Sequence, residues 1–192
     1  MASWKTFDPL PLGLALGLLG VGVLAFTLVT LGADNVTYGR AEWTARLSLV
    51  LAAPAMVLYA APGRLGPWWR AFWTAGMLAY LLHFWWAVFG VFQGDVGTIY
   101  DRQGFVAVTN ALLTVLWIAD VVVAWVRPWS PALWAIILRA VTWALVTVSF
   151  FLAAAVFRDE ALPTVLGILL AVGVVVAWLS PKFVRGPETS VR

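Results

Sequence analysis

The chain has 192 residues, 63% of them hydrophobic and only 11% charged, which is more apolar surface than a soluble domain of that length can bury. A formal charge of +3 spread over separate loops excludes a nucleic-acid footprint, and the absence of Cys excludes disulfides, thiolate metal sites, iron–sulfur clusters and thiol nucleophiles. Lipid is the expected surrounding, and 13 Trp with 4 Tyr suit the interfaces of a bilayer.

A bilayer core needs roughly 20 apolar residues per helix. Six runs meet that need, at about 10 to 32, 46 to 61, 72 to 92, 105 to 126, 133 to 157 and 162 to 179. The first follows a weakly basic start at Lys5 and is about twice the length of a signal-peptide core, so it reads as a retained helix. Pro62-Gly63, Gly66-Pro67, the stretch from Gly94 to Gly104, Pro128 with Pro131, and Pro163 supply the turns and helix starts between the runs. Asp95 and Asp101 fall in the Gly94–Gly104 stretch and read as a solvated loop, Arg102 balancing Asp101. The expectation is an all-α fold: a single polytopic domain over residues 1–192, an integral membrane bundle of six transmembrane helices.

Six spans place both termini on one side, with Lys5, Arg64, Arg70, Arg127, Lys182, Arg185 and Arg192. The other side holds Arg40, Arg46, Arg102 and Arg158, outweighed by Asp34, Glu42, Asp95, Asp101, Asp159 and Glu160. Because the Lys/Arg excess stays inside, both the N and C termini are expected to be cytoplasmic, in a bacterial cytoplasmic (inner) membrane. Trp4, Trp68, Trp69, Trp73, Trp125, Trp129, Trp134 and Trp178 fall near the cytoplasmic ends, where indoles prefer to sit, whereas Trp85, Trp86, Trp117 and Trp143 lie deeper. Small residues at four-residue spacing, Gly13 with Gly17, Gly90 with Gly94, and Gly167 with Ala171, form ridges that admit close helix contact.

Three ionisable side chains fall at membrane depth, where each costs roughly 2.5 to 3.5 kcal/mol on insertion scales and needs a partner or a purpose. Asp120 lies about six residues before the end of the fourth span and Arg139 about six after the start of the fifth. Across a short loop the two are about 9 Å below the same surface, so they are expected to form an intramembrane ion pair. His83, the only histidine, falls near the middle of the third span inside "YLLHFWWAV". Neutral imidazole there has two uses: a hydrogen bond to a neighbour such as Thr109, Asn110, Thr114, Thr142, Thr147 or Ser149, or a cofactor contact, with Tyr80, Trp85 and Trp86 close by.

The stretch "YGRAEWTARLSLVLAAPAMVLYAAPGRLGPWWRAFWTAGMLAYLLHFWW" resembles the start of the ferric-reductase-like transmembrane domain. Arg40, Arg46, Pro62, Arg64, Arg70, Gly76 and His83 carry the resemblance, over about a quarter of the chain. That family holds b-type haem between histidines on two helices, and the later spans here have none. The resemblance therefore implies a haem site lost or reduced to one axial ligand, with His83 its remnant, and the missing second histidine excludes bis-histidine haem.

No Gly-rich phosphate loop, no Ser or Cys nucleophile with a base and no metal-ligand spacing is present. Three readings follow. The first is a non-catalytic membrane subunit or assembly protein docking on other membrane protein subunits. The second is a redox module holding a single haem b or a quinone at His83, and the third is a small proton-coupled transporter using His83, Asp120 and Arg139.

Overall fold

The computed structural model describes residues 8–61, 65–127, 132–156 and 161–184, without the side chains of 155, 156 and 181–184. Lys5, Trp4, Pro62, Gly63, Arg64, Pro128, Trp129, Pro131, Arg158, Asp159, Glu160, Arg185 and Arg192 lie outside the described residues, as does the side chain of Lys182. Seven α-helices are present among the described residues: α1 Leu10–Thr30, α2 Val36–Ala60, α3 Pro67–Trp85, α4 Val96–Gln103, α5 Phe105–Val126, α6 Leu133–Phe151 and α7 Ala161–Val184. All but α4 lie in the six segments long and apolar enough to cross a membrane, so the chain is an all-α, six-span integral membrane bundle.

Two helices start earlier than hydropathy places them. α2 begins at Val36 rather than near 46, and α3 at Pro67 rather than near 72. The first turns of α2 carry charge that the fold neutralises locally. Glu42 Oε1 accepts from Arg46 Nη2 at 2.9 Å across one helical turn, and Arg46 and Arg40 lie over the Trp43 and Trp86 rings, each at 4.8 Å. Asn35 starts α2 by accepting from the Tyr38 N–H, and Pro67 sits where a helix has no N–H to lose.

The Gly94–Gly104 stretch is not an irregular loop. Asp95 Oδ1 accepts from the Thr98 N–H at 3.1 Å and Oδ2 from its hydroxyl at 2.7 Å, capping the short helix α4. Gly94 and Gly104 bracket α4 at φ +78° and +55°, conformations that side-chain-bearing residues rarely adopt. α3 and α6 both end in a π-helical turn on the α4 side of the bundle, Trp86–Val91 and Leu152–Val156.

α2, α3, α5, α6 and α7 pack as a ring, each against its neighbour, while α1 lies outside against α2 and α3. The core inside the ring is built on Met56, Trp69, Trp73, Leu113, Trp117 and Val146, all essentially inaccessible. Trp69 and Trp73, expected in an interfacial belt, are thus core residues, because their face of α3 turns toward α5 rather than toward lipid. Trp68, Trp134 and Trp178 do face outward.

The tightest seam joins α2 to α3. Ser48 Oγ donates to the Gly76 carbonyl at 2.9 Å, and a β-carbon at Gly76 would stand 2.6 Å from the Ala52 β-carbon and 2.9 Å from its α-carbon. Gly90 makes a similar approach to Thr37. Gly13 and Gly17, by contrast, have open space around them on the outer face of α1.

Candidate functional site

Two polar centres lie within the bundle, one toward each end. Asp120, fully buried on α5, occupies the centre nearer the chain ends. Its Oδ2 accepts from Trp73 Nε1 at 2.8 Å and its Oδ1 from Arg139 Nε at 3.3 Å. The Arg139 guanidinium lies 4.9 Å above the Trp69 ring. The pairing expected from spacing is therefore present, with two partners that spacing did not indicate: an indole donor and an indole face, both from α3. A buried carboxylate with two donors and a guanidinium with a carboxylate and a π face form a satisfied structural unit.

His83 belongs to the other centre. Because α3 starts at Pro67 and its span runs to Val91, the ring sits about 12 Å from the α4-side end of the span rather than at its middle. Its Nδ1 lies 2.7 Å from the Ala41 carbonyl of α2. A carbonyl only accepts, so Nδ1 carries the proton and Nε2 carries the lone pair of neutral imidazole. The hydroxyl and amide neighbours expected from sequence are not what fixes the ring. Thr109, Thr114 and Thr142 donate instead to the carbonyls of Phe105, Asn110 and Leu116.

His83 and Tyr80 line a cavity of about 440 Å³ on the α4 side of the bundle. Its walls come from α2 (Glu42, Arg46, Leu49), α5 (Val106, Asn110, Leu113), the end of α6 and its π turn (Ser149, Phe150, Ala153) and α7 (Pro163, Leu166). That volume and a mainly apolar lining with a few converging polar groups are the usual features of a small-molecule site. Tyr80 is held by donating its hydroxyl to the Asn110 carbonyl at 3.3 Å. The Asn110 amide and the Ser149 hydroxyl line the cavity with no hydrogen bond to the protein among the described residues. Both side chains are half-buried and present their donors and acceptors to a space large enough for a ligand.

Trp85 and Trp86, grouped with His83 by sequence, are not in the cavity wall. Trp85 is 55% exposed on the outer surface, its ring tilted against Phe89 with centroids 4.5 Å apart, while Trp86 lies beneath Arg40. At 100° per residue Trp85 points about 200° away from His83 and so outward, whereas Trp86, three residues on, stays on the His83 side of the helix and is taken up by Arg40 of α2 instead. Sequence reasoning had assigned Glu42 and Arg46 to an outer loop and missed them as lining residues. The signal was their four-residue spacing, which puts a pair on one helix face.

A continuous aromatic layer separates the two centres. Trp73 and Trp117 lie 4.8 Å apart, Trp117 and Tyr80 5.5 Å, and Tyr80 and His83 5.9 Å between ring centroids. Asp120 and Arg139 therefore do not share a site with His83. No group of three His, Asp or Glu able to hold a metal ion occurs among the described residues.

The fold defines a class, a helical integral membrane protein, and the cavity of about 440 Å³ lies at the α4 end of its bundle. No family model, curated protein or solved structure matches the chain, and the functional reading rests on the chamber itself.

Proposed function

We propose that the protein is a non-catalytic membrane subunit that holds a small redox-active ring in the chamber beside His83. The observation that supports this is the convergence of His83, Asn110 and Ser149 on a space of about 440 Å³ at membrane depth. Both ring ligands raised for His83 can be tested against the lining. A haem b would take His83 Nε2 as one axial ligand, but the chamber offers no second His, Met or Cys. A quinone needs hydrogen-bonding groups around a flat apolar slot, and Tyr80, Phe150, Asn110 and Ser149 supply both. The quinone fits better.

The experiment is purification from a bacterial cytoplasmic membrane in mild detergent, followed by a visible spectrum and ultraviolet analysis of an organic extract. A quinone recovered in stoichiometric amount, and lost in His83→Ala, is the expected result. A colourless protein whose extract carries no quinone would overturn the reading.

A second reading, docking on a larger membrane complex, draws support from α1. Its Gly13, Gly17 and Gly20 line an outer face with open space beside each, which favours close approach of a foreign helix. Stoichiometric co-purification of another membrane protein, lost in Gly17→Leu, would support it. Proton-coupled transport draws less support, since the aromatic layer of Trp73, Trp117 and Tyr80 stands between His83 and the Asp120–Arg139 pair.

A further inference from the structure

We infer that the chamber takes a tailed quinone directly from the bilayer, its head on Asn110 and Ser149 and its tail leaving between α5 and the end of α6. The inference rests on the ring-binding reading above and specifies the ligand and its route.

The head contacts follow from donor and acceptor capacity. A quinone presents carbonyl oxygens that only accept, and its reduced form presents hydroxyls that also donate. An Asn amide and a Ser hydroxyl each donate and accept, so the same two side chains satisfy both redox forms without moving. Neither is engaged with the protein among the described residues. A Lys or Arg in their place would favour one form alone.

The route follows from exposure. Most of the chamber wall is closed by α2, α3 and α7, but two lining residues also face outward. Val106 on α5 is 55% exposed, and Ala153 in the π turn of α6 is exposed as well. Val106 is the second residue of its span and Ala153 the last but one of its own, so the opening lies at the edge of the hydrocarbon region, from which a tail can pass on into the acyl chains. Small and β-branched side chains leave room there for an unbranched or prenyl tail. The π turn has a part in this, because the extra residue it inserts shifts Leu152–Ala154 relative to the rest of α6. On the far side, Leu113 and Phe150 provide an apolar slot for the ring.

The test uses the full chain in lipid nanodiscs and two probes: a dimethoxybenzoquinone bearing a decyl tail and the same ring without a tail. Both are read as saturable, stoichiometric retention of the probe on immobilised nanodiscs after subtraction of empty nanodiscs, since several of the 13 Trp face outward and would be quenched by probe dissolved in the lipid. Wild type is expected to bind the tailed probe more tightly. Val106→Trp, which fills the mouth, is expected to weaken the tailed probe by about tenfold and leave the tailless probe unchanged. Asn110→Leu is expected to weaken both probes, and Ser149→Ala checks the head contact with a variant that removes a single oxygen. Equal loss of both probes in Val106→Trp, or no loss of either, would overturn the route. Unaltered binding in both Asn110→Leu and Ser149→Ala would overturn the head assignment. Failure of both probes to bind wild type would instead sink the ring-binding reading on which the inference rests.

Discussion

Asp120 and Arg139 were legible as a pair because a short connection fixes the register of two antiparallel helices, so equal distances from the turn mean equal depth. What spacing could not reveal is the third partner. Trp73 is 47 residues from Asp120, and its donation at 2.8 Å depends on how α3 meets α5. That partner shapes the outcome of mutation. Asp120→Ala strands both the indole N–H and the guanidinium in a buried site and is expected to cost about 3–5 kcal/mol of stability. Arg139→Ala leaves a carboxylate still bonded to Trp73 and should cost less. The double variant Asp120→Ala/Arg139→Ala removes both charges and is expected to recover part of the loss, read as the thermal midpoint in detergent; losses that simply add would show that the pair is not coupled. At the surface, Asp95 offers a pH test. Its carboxyl is held below the usual value by the Thr98 hydroxyl first and the Thr98 N–H second. A depressed pKa stabilises the cap above the ordinary carboxylate range, and the gain is lost as pH falls through the lowered value. Amide exchange in α4 is therefore expected to be slow at neutral pH and to accelerate below about pH 4, with Asp95→Ala fast throughout. Exchange independent of pH in wild type, after correction for the intrinsic rate, would count against the cap.

Among the elements, α5 emerged from sequence with its ends in place, Phe105 to Val126, because its run is apolar throughout and bounded by Gly104 and Arg127. The start of α2 did not emerge, because Arg40, Glu42 and Arg46 depress hydropathy over the ten residues in which the helix is already formed. The pairs that neutralise them, Glu42 with Arg46 and Arg40 with Trp86, exist only once the helix is built, and the second requires α3. The cavity was hidden for the same reason. Two of its polar lining residues sat inside a segment that composition assigns to solvent, and its α6 wall is a π turn with no composition cue. The α2–α3 seam on which His83 depends for its Ala41 contact gives a prediction at this scale. Gly76→Ala forces a methyl against the Ala52 backbone, which cannot yield as a flexible side chain would. It is expected to cost about 1–3 kcal/mol and to weaken ligand binding, since separating the helices also lengthens the His83–Ala41 hydrogen bond. The control is Gly17→Ala on α1, where nothing lies within 4 Å and the variant should be no less stable than wild type, gaining up to about 1 kcal/mol from helix propensity. Equal effects from the two substitutions would show that the seam is not the tight contact described.

For the whole molecule, the count of spans decides topology. Six crossings return the chain to the face from which it set out, so the start of α1 and the end of α7 share a side, opposite α4. Which side follows from charge. The end of the bundle with α4 carries Asp34, Asp95 and Asp101, and its arginines are partly engaged: Arg46 with Glu42, and Arg40 over an indole. The opposite end carries Arg70 and Arg127 with the basic residues of both tails. The Lys/Arg bias in short loops sets the expected orientation, in which the tails are cytoplasmic and the His83 chamber falls in the outer half of the membrane. The absence of Cys makes this directly measurable, because a single introduced thiol is the sole target for a maleimide. In intact cells a membrane-impermeant maleimide is expected to label Asp101→Cys on α4 and to spare Thr189→Cys in the carboxyl-terminal tail until the membrane is permeabilised. The reverse pattern would invert the molecule and move the chamber to the cytoplasmic leaflet. Labelling of both sites in intact cells would mean an even number of crossings between them rather than the three of α5, α6 and α7, and would overturn the six-span topology.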